Sequence, residues 1–284
     1  MSYLMEDVRE GRRLREKVDP DGWVRAWIEG HLRPRMNVLD AGCGPGVIAR
    51  SVAESGGTGG TGGTGGTGVT VTGIDIGSHR VAEARRHLGD KGTALEADVC
   101  HLPFLDDAFD LSYCRLMLQF VPDPEAAIHE LRRVTRPGGK IVLYELDGQL
   151  NWNHPIDDRL QDLLSQVLAG TAKRGFDWQV GRKLYTAAVR CGLRDIDVAV
   201  EPYHLIAGSI DARQRSQWAL KFDVAMPTAA AALGSRRLAE EFFSLFMEHL
   251  DRPDTLTYSV AFAVTASVPS VPSIPANGFA RAAG

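Results

Sequence analysis

The feature that most constrains the fold is an alternation, from Met36 onward, of short apolar runs with amphipathic helical stretches. Runs rich in β-branched residues favour buried strands, and the stretches between them place apolar side chains on one helical face. Such an alternation is typical of a parallel sheet whose strands are joined by crossover helices. It predicts seven strands, at residues 37–40, 69–75, 93–98, 109–114, 140–145, 196–200 and 257–266.

The same alternation suggests how the 284 residues are organised. We expect a doubly wound α/β fold in which an N-terminal helical lid precedes one large domain. Helices outside the simple alternation form an insertion after the fifth strand and a pair before the last strand, and we expect both groups on the acceptor side of the site. The predicted boundaries are a lid at 1–35, the domain at 36–267, acceptor-side helices within 147–182 and 211–250, and a disordered Pro/Ser-rich tail at 268–284.

One low-complexity tract interrupts the pattern between the first helix and the second strand. Residues 56–68 consist of glycine and threonine and hold nine of the 30 glycines in the chain. Such a composition is typical of a flexible connection. We therefore expect a flexible surface loop here, remote from the chemistry.

Composition excludes several classes of function. The net charge is −4, whereas proteins that bind nucleic acid need lysine and arginine to neutralise phosphates. The four cysteines are widely spaced and form no Cys-x-x-Cys pair, so neither a disulfide framework nor a metal site is predicted. No apolar stretch approaches the length of a membrane span, and the charged N-terminus does not resemble a signal peptide. We expect a cytoplasmic protein that binds neither nucleic acid nor membrane, and the oligomeric state stays open.

The strongest chemical signal is a glycine-rich loop directly after the first strand, in the run Val-Leu-Asp-Ala-Gly-Cys-Gly-Pro-Gly that ends at Gly46. Glycines between a strand and a helix let the backbone approach a ligand closely. The spacing is G-x-G-x-G, whereas a dinucleotide-binding loop requires G-x-G-x-x-G. Asp40 precedes the first glycine by two residues, where it would repel a pyrophosphate but hold a cationic amine.

Two more acids follow at successive strand ends. Asp75 closes the second strand 29 residues after Gly46, and without the Gly/Thr tract this spacing approaches the ~20 residues at which an acid reaches ribose hydroxyls. Asp98 ends the third strand, where its carboxylate can accept a hydrogen bond from an adenine amino group. The carboxyl ends of parallel strands share one edge of a sheet, so we expect a ligand site there.

Five runs resemble the successive motifs of class I S-adenosylmethionine-dependent methyltransferases that act on small molecules. In chain order they are VLDAGCGPG, GIDI, EADV, FDLSYCRLMLQF and RPGGKIVLYE. The resemblance is dense over 37–145. The chain is also similar to a type 11 or 25 bacterial subgroup of such domains that opens with a Tyr…Glu…Arg-Leu segment. The family fold is a Rossmann-like, mostly parallel seven-stranded sheet whose last strand is antiparallel.

The resemblance implies S-adenosyl-L-methionine as the cofactor and assigns residues to it. Asp40 and the loop glycines would surround the methionine and ribose, Asp75 the ribose hydroxyls, and Asp98 the adenine amine. Ile76 and Val99 would contact the adenine ring, and Arg115 would follow the fourth strand beneath the sulfonium. The full expected set is Tyr3, Arg13, Asp40, Ala41, Gly42, Gly44, Gly46, Asp75, Ile76, Asp98, Val99 and Arg115, in which Tyr3 and Arg13 cap the cofactor carboxylate.

Catalytic candidates are fewer, because a sulfonium methyl group chiefly needs an aligned acceptor in a site without water. A base is required only when the acceptor arrives protonated. The candidates are Gln119, Glu145, His154 and His204, with Asp147 and Tyr203 beside them. For each, a structural or solvated role remains the alternative.

The predicted function is methyl transfer to the oxygen, nitrogen or carbon of a small organic acceptor, in secondary metabolism. Two alternatives remain open. One is a NAD-dependent oxidoreductase on a Rossmann fold, which the G-x-G-x-G spacing and Asp40 disfavour. The other is a non-catalytic module that binds S-adenosylmethionine without turning it over.

Overall fold

The central sheet follows the predicted alternation. The computed structural model describes residues 19–55 and 68–270, and within them the sheet has seven strands in the order β3-β2-β1-β4-β5-β7-β6. β1 to β5 pair in parallel, and β7 is antiparallel to both β5 and β6. The prediction of a Rossmann-like, mostly parallel sheet is therefore confirmed. The strands are β1 (Asn37–Ala41), β2 (Thr70–Asp75), β3 (Gly92–Glu96), β4 (Phe109–Arg115), β5 (Thr135–His154), β6 (Arg194–Ala207) and β7 (Leu256–Ser267).

Helix starts are encoded locally. Asp19 and Asp123 each accept a backbone N–H from three residues later, at 3.0 Å, and a proline follows each as the first helical residue. α3 begins at Ser78, with Gly77 at the N-cap position. The helices are α1 (Pro20–Trp27), α2 (Val47–Ser55), α3 (Ser78–Leu88), α4 (Pro124–Val134), α5 (Asp158–Ala172), α6 (Val180–Arg190), α7 (Ala212–Leu233) and α8 (Arg236–Leu250), with short 3-10 turns at Glu29–His31 and Leu118–Phe120.

Three hydrophobic clusters hold the elements together. α1, α2 and α3 pack on one face of the sheet, and α4 and α6 pack on the other. The third cluster joins α5, α7 and α8 to the end of β6. Phe242, Phe243 and Phe246 of α8 are buried in this third cluster, as their helical spacing predicts. We call the third cluster, with its helices, the cap.

β5 is much longer than predicted. It was expected to end at Glu145 and lead into a loop, but it continues to His154 and pairs with β7 down to Leu256. Asp147 and Gly148 carry a turn signal, and the structure absorbs it as a bulge in which Gly148 has a φ of +69°. β6 likewise continues to Ala207 and carries a bulge after Pro202. The extended ends of β5, β6 and β7 support the cap.

α7 lies within the predicted 211–250 and continues through Pro227. It ends at Gly234, which has a left-handed φ of +66°.

Some predicted features lie outside the described residues. They are Tyr3, Arg13 and the rest of the lid before Asp19, residues 56–67 of the Gly/Thr tract, and the tail from 271. Among the residues that the structure describes, no helix combines the length and apolarity needed to cross a bilayer.

Candidate functional site

The glycine loop after β1 is fixed against the end of β2. The backbone N–H groups of Gly42 and Cys43 both donate to the carbonyl of Ile74 at 2.8 Å. The Gly44 N–H donates to Asp75 Oδ2 at 3.0 Å. Two adjacent strand ends thus form one rigid edge, as the spacing of the motifs predicts.

The glycines of this loop serve different purposes. A Cβ on Gly46 would lie 2.9 Å from the Cα of Ala84 in α3, so this glycine allows close packing against a neighbouring helix. A Cβ on Gly44 would meet no atom within 4 Å, so Gly44 faces open space at the edge of the sheet. The sequence suggested close approach to a ligand for every glycine of the loop. That role stays a prediction, and Gly44 is the loop glycine whose Cβ position is open.

Asp40 is a buried carboxyl group next to this loop. It is 2% exposed, and its Oδ2 has no hydrogen-bond partner among the described residues. Burial, together with the charge of Asp75, raises the pKa of Asp40 to about 7, although a hydrogen bond from the Tyr113 hydroxyl and the charge of Arg115 oppose the shift. A buried acceptor without a partner is rare in a folded protein and needs an explanation.

Three more buried polar atoms belong to this group of side chains. The Nε1 of Trp23 and the Nε of Arg115 have no hydrogen-bond partner among the described residues, and the hydroxyl of Tyr113 has none except the Asp40 carboxyl group. Tyr113 is the register partner of Asp40 in the sheet, and its ring centroid lies 5.7 Å from that of Trp23. The Arg115 guanidinium lies 5.6 Å from the Trp23 ring and from the Tyr144 ring. We call these four polar groups the orphan cluster.

Asp75 lies at the mouth of the same edge. Its Oδ1 accepts the Gly77 N–H at 2.8 Å and its Oδ2 accepts from Gly44. A carboxylate has about four lone-pair sites, so two backbone bonds leave it able to accept further hydroxyls. Ile76 is next to it and is 59% exposed, which is unusual for an isoleucine.

Asp98 and Val99 follow β3. The Asp98 carboxylate is half exposed and accepts the Cys100 N–H at 2.9 Å. Val99 is 8% exposed and packs in the core with α4 and α6, so most of its side chain serves packing. Asp98 is therefore placed at the open edge, and Val99 mainly beneath it.

Glu145 and Gln119 are brought together, but both are buried. Glu145 Oε1 accepts the backbone N–H groups of Met117 and Leu118 at 2.6 Å, and burial raises its pKa to about 8. Gln119 donates through Nε2 to the Leu116 carbonyl at 3.3 Å. The geometry is that of groups that hold the turn after β4 in place, below the open edge.

The other candidates lie farther out. Asp147 is 1% exposed and forms a two-pronged ion pair with Arg182, its Oδ1 lying 2.6 Å from Nη2, which anchors the start of α6. His154 is exposed at the far end of β5. His204 Nδ1 lies 2.9 Å from Ser259 Oγ, with its ring against Tyr203 and Trp218 at the base of the cap. His154 is not gathered to the edge where Asp40 and Asp75 meet.

Trp23, Tyr113 and Tyr144 were not among the residues predicted for the site. The spacing of these residues in the sequence does point to them. Tyr113 and Arg115 alternate on one face of β4, and Trp23 and Trp27 are one helical turn apart on α1. Their convergence depends on α1 packing over β4 and β5, which no local pattern specifies.

The cysteines carry no metal or disulfide chemistry that can be seen in the described part of the chain. All four are free, and burial raises the pKa of each thiol. No group of three metal-ligating side chains occurs among the described residues.

Comparison with known proteins gives a family match for the central segment. Residues 39–143, from β1 into β5, match the model of a methyltransferase domain. The ubiquinone biosynthesis O-methyltransferase of Azotobacter vinelandii (strain DJ / ATCC BAA-1303) is 33% identical over 123 residues, which cover 40% of this chain and 47% of that protein. That of Azoarcus sp. (strain BH72) is 29% identical over 126 residues, covering 43% and 49%. The chain thus spans about half the length of these curated relatives.

Solved structures share the fold. Phosphoethanolamine N-methyltransferase 2 of Haemonchus contortus superposes with a TM-score of 0.53 at 18% identity, covering 88% of this chain and 53% of that chain. An S-adenosylmethionine-dependent methyltransferase of Methanosarcina mazei gives 0.52 at 17%, covering 86% and 97%. The [4+2]-cyclase SpnF gives 0.54 at 18%, covering 88% and 82%. Because a cyclase is among them, this fold alone does not determine the reaction.

Proposed function

Since residues 39–143 form a class I S-adenosylmethionine-dependent methyltransferase domain, we propose that this protein transfers a methyl group from S-adenosylmethionine to a small organic molecule. The carrying observation is the orphan cluster. It presents one carboxyl group, from Asp40, next to the N–H donors of Trp23 and Arg115 and the hydroxyl of Tyr113. The methionine end of S-adenosylmethionine carries one ammonium and one carboxylate, and these two charges complement the polar groups of the cluster.

The residues present fit this cofactor. In this proposal Asp40 holds the methionine ammonium, and Arg115 and Trp23 hold its carboxylate. Asp75 binds the ribose hydroxyls, and Ile76 and Asp98 contact the adenine end. Gly44 leaves the backbone open to the ligand. When bound, S-adenosylmethionine supplies an electrophilic methyl group on a sulfonium.

The chain's own residues would then bind and orient the reactants. Glu145 fixes the turn after β4 through the N–H groups of Met117 and Leu118, and so acts on the site through the backbone. α1 and the sheet bury the orphan cluster. Because the dielectric constant is low at a buried site, each charge interaction there is stronger than in water. We therefore infer that positioning, rather than proton abstraction by Glu145, is the protein's main contribution.

A pyrophosphate fits this edge less well. NAD would place two negative charges beside the loop, where Asp40 is buried and Asp75 is close. The G-x-G-x-G spacing also departs from the dinucleotide loop. These two observations support the methyltransferase over the oxidoreductase.

The proposed setting follows from charge and thiols. We propose action on a small molecule in the cytoplasm, and not on nucleic acid. The net charge of −4 and the four free thiols support this proposal.

The experiment is methyl transfer from S-adenosylmethionine labelled in the methyl group, offered with pools of small phenols, amines and carboxylic acids. The proposal expects label in an extractable product and formation of S-adenosylhomocysteine. A parallel assay with NAD and the same pools measures nicotinamide reduction. Reduction without label transfer would overturn the proposal, and cofactor binding with no product from any pool would favour the non-catalytic module.

A further inference from the structure

A cavity of about 270 Å³ opens beside the orphan cluster, between α1 and the middle of β5 and β6. Trp23 and Trp27 of α1 form one side, and Tyr144 of β5 with Glu201 and Tyr203 of β6 form the other. Arg115 also lines the cavity, and its charge acts on Asp40. We call this cavity the aromatic pocket.

Aromatic rings dominate the walls of the pocket. The Trp23 and Tyr144 rings meet edge to face at 5.7 Å, and the Trp27 ring lies 6.1 Å from that of Tyr144. Such walls suit a flat ring, which can stack on one neighbour and meet another edge-on. The volume is near the lower limit of the ~300–1,000 Å³ that is usual for small-molecule sites, so the ligand must be compact.

One hydrogen bond defines the polar side of the pocket. The Tyr144 hydroxyl donates to Glu201 Oε1 at 2.5 Å. Burial and this bond raise the pKa of Tyr144 well above its ordinary value, so Tyr144 remains the donor. A carboxylate that accepts one hydroxyl can accept another, so Glu201 presents an acceptor to a ligand that carries an O–H.

The charged side chains that line the pocket are Arg115, Glu201 and Asp19. Asp19 Oδ1 already accepts the Gly22 N–H at the start of α1. The Arg115 guanidinium already lies over the Trp23 and Tyr144 rings at 5.6 Å, the faces that would otherwise attract an ammonium. A neutral ring with a hydroxyl group can therefore use the remaining ring surface and the Glu201 carboxylate.

We propose that the aromatic pocket is the acceptor site and that it takes a compact phenol of one or two rings, whose hydroxyl donates to Glu201 while the ring packs against Trp27 and Tyr144. The inference that the bound phenol is the methyl acceptor rests on the proposed function. Binding of a phenol in the pocket does not depend on that function. Nothing in the similarity to known proteins assigns these residues.

The experiment is a ligand-observed NMR titration of the full chain with catechol, in parallel with cyclohexanol and benzylammonium. We expect saturable binding of catechol and much weaker binding of the other two. Glu201→Gln should weaken catechol binding roughly tenfold, because it removes a charge-assisted bond. Trp27→Ala should weaken it by a similar factor. Trp152→Ala, which removes an exposed tryptophan outside the pocket, is the matched control and should change nothing.

Two outcomes would overturn the inference: catechol binding that is unchanged in both pocket variants, or benzylammonium binding that Glu201→Gln weakens while catechol fails to bind. Thermal melting checks that each variant folds, and Tyr144→Phe offers a second probe of the same bond. Calorimetry with S-adenosylhomocysteine separates the two proposals. Glu201→Gln and Trp27→Ala should leave that affinity unchanged, and loss of cofactor binding by wild type would defeat the proposed function without touching the catechol result.

Discussion

The carboxylate of Asp75 accepts the backbone N–H of Gly44, which lies 31 residues earlier in the chain, at 3.0 Å. The residue expected to hold the ribose therefore also fixes the loop expected to surround the methionine. The two halves of the proposed cofactor site are one hydrogen-bonded unit, so a change at Asp75 acts on both.

Asp40 should make cofactor binding release protons. Its pKa is raised to about 7, chiefly by burial, and an ammonium placed beside it would lower that pKa. At pH 6.5, S-adenosylhomocysteine binding should then release on the order of half a proton or more, and at pH 8.5 almost none. Calorimetry in two buffers of different ionisation enthalpy measures this number. In Asp40→Asn the release should vanish, and equal release by variant and wild type would contradict the assignment.

Glu145 should make the fold less stable as pH rises. Its pKa is raised from 4.5 to about 8 by burial, so the stabilising contribution of the protonated form is complete below 4.5 and is lost as pH rises through 8. Glu145→Gln keeps an acceptor for the Met117 N–H but cannot ionise. Between pH 5.5 and 9, wild type should lose about 5 °C of Tm relative to this variant, since 1 kcal/mol corresponds to about 2–4 °C. Parallel Tm curves would show that Glu145 does not ionise in this range.

The ion pair of Asp147 and Arg182 should stabilise the junction of β5 and α6. Arg182→Ala would leave Asp147, 1% exposed, without its cation. We expect a cost of about 2 kcal/mol, below the ~3–5 kcal/mol of a fully buried pair because Arg182 is 45% exposed. Arg190→Ala is the control, since it breaks an exposed pair with Glu125 and should cost at most about 1 kcal/mol. Urea unfolding measures both, and equal costs would contradict the structural role.

Substitution of Gly46 should mainly affect stability, whereas substitution of Gly44 should mainly affect cofactor binding. Gly46→Ala places a Cβ 2.9 Å from Ala84 and should lower the free energy of unfolding by about 1–3 kcal/mol. Gly44→Ala meets no neighbour, although its φ of +53° adds some strain, and should chiefly weaken S-adenosylhomocysteine binding. Urea unfolding and calorimetry on both variants check this division. The reverse pattern would show that Gly44, rather than Gly46, supports packing.

The sequence predicts much of the sheet because β1, β2 and β3 are short runs that each end at, or directly before, a glycine or an acid. The confirmed architecture rests on such local signals, as at Asp123 and Pro124. The extension of β5 to His154 could not be predicted this way. Its last residues are polar, and they form a strand because β7 offers partners from Leu256 onward.

The same distinction between local patterns and contacts between elements applies to the candidate site. Asp40, Asp75 and Asp98 follow from strand ends, and the structure places them along one edge. Glu145 was predicted at a strand end, but β5 continues past it. Its carboxyl group lies in the turn after β4, where it accepts the N–H groups of Met117 and Leu118 from another part of the chain. Trp23 joins the site only because α1 packs across the sheet. Contacts between elements, rather than patterns within them, determine these roles.

The most direct test of the central claim is calorimetry with S-adenosylhomocysteine on wild type, Asp75→Ala and a matched control, Asp90→Asn, which changes an exposed acid just beyond α3. We predict micromolar or tighter binding by wild type and by Asp90→Asn, and a loss of at least about 100-fold in Asp75→Ala, because two ribose hydrogen bonds and the tie to Gly44 disappear together. No binding by wild type, or binding by Asp75→Ala that equals wild type, would contradict the account.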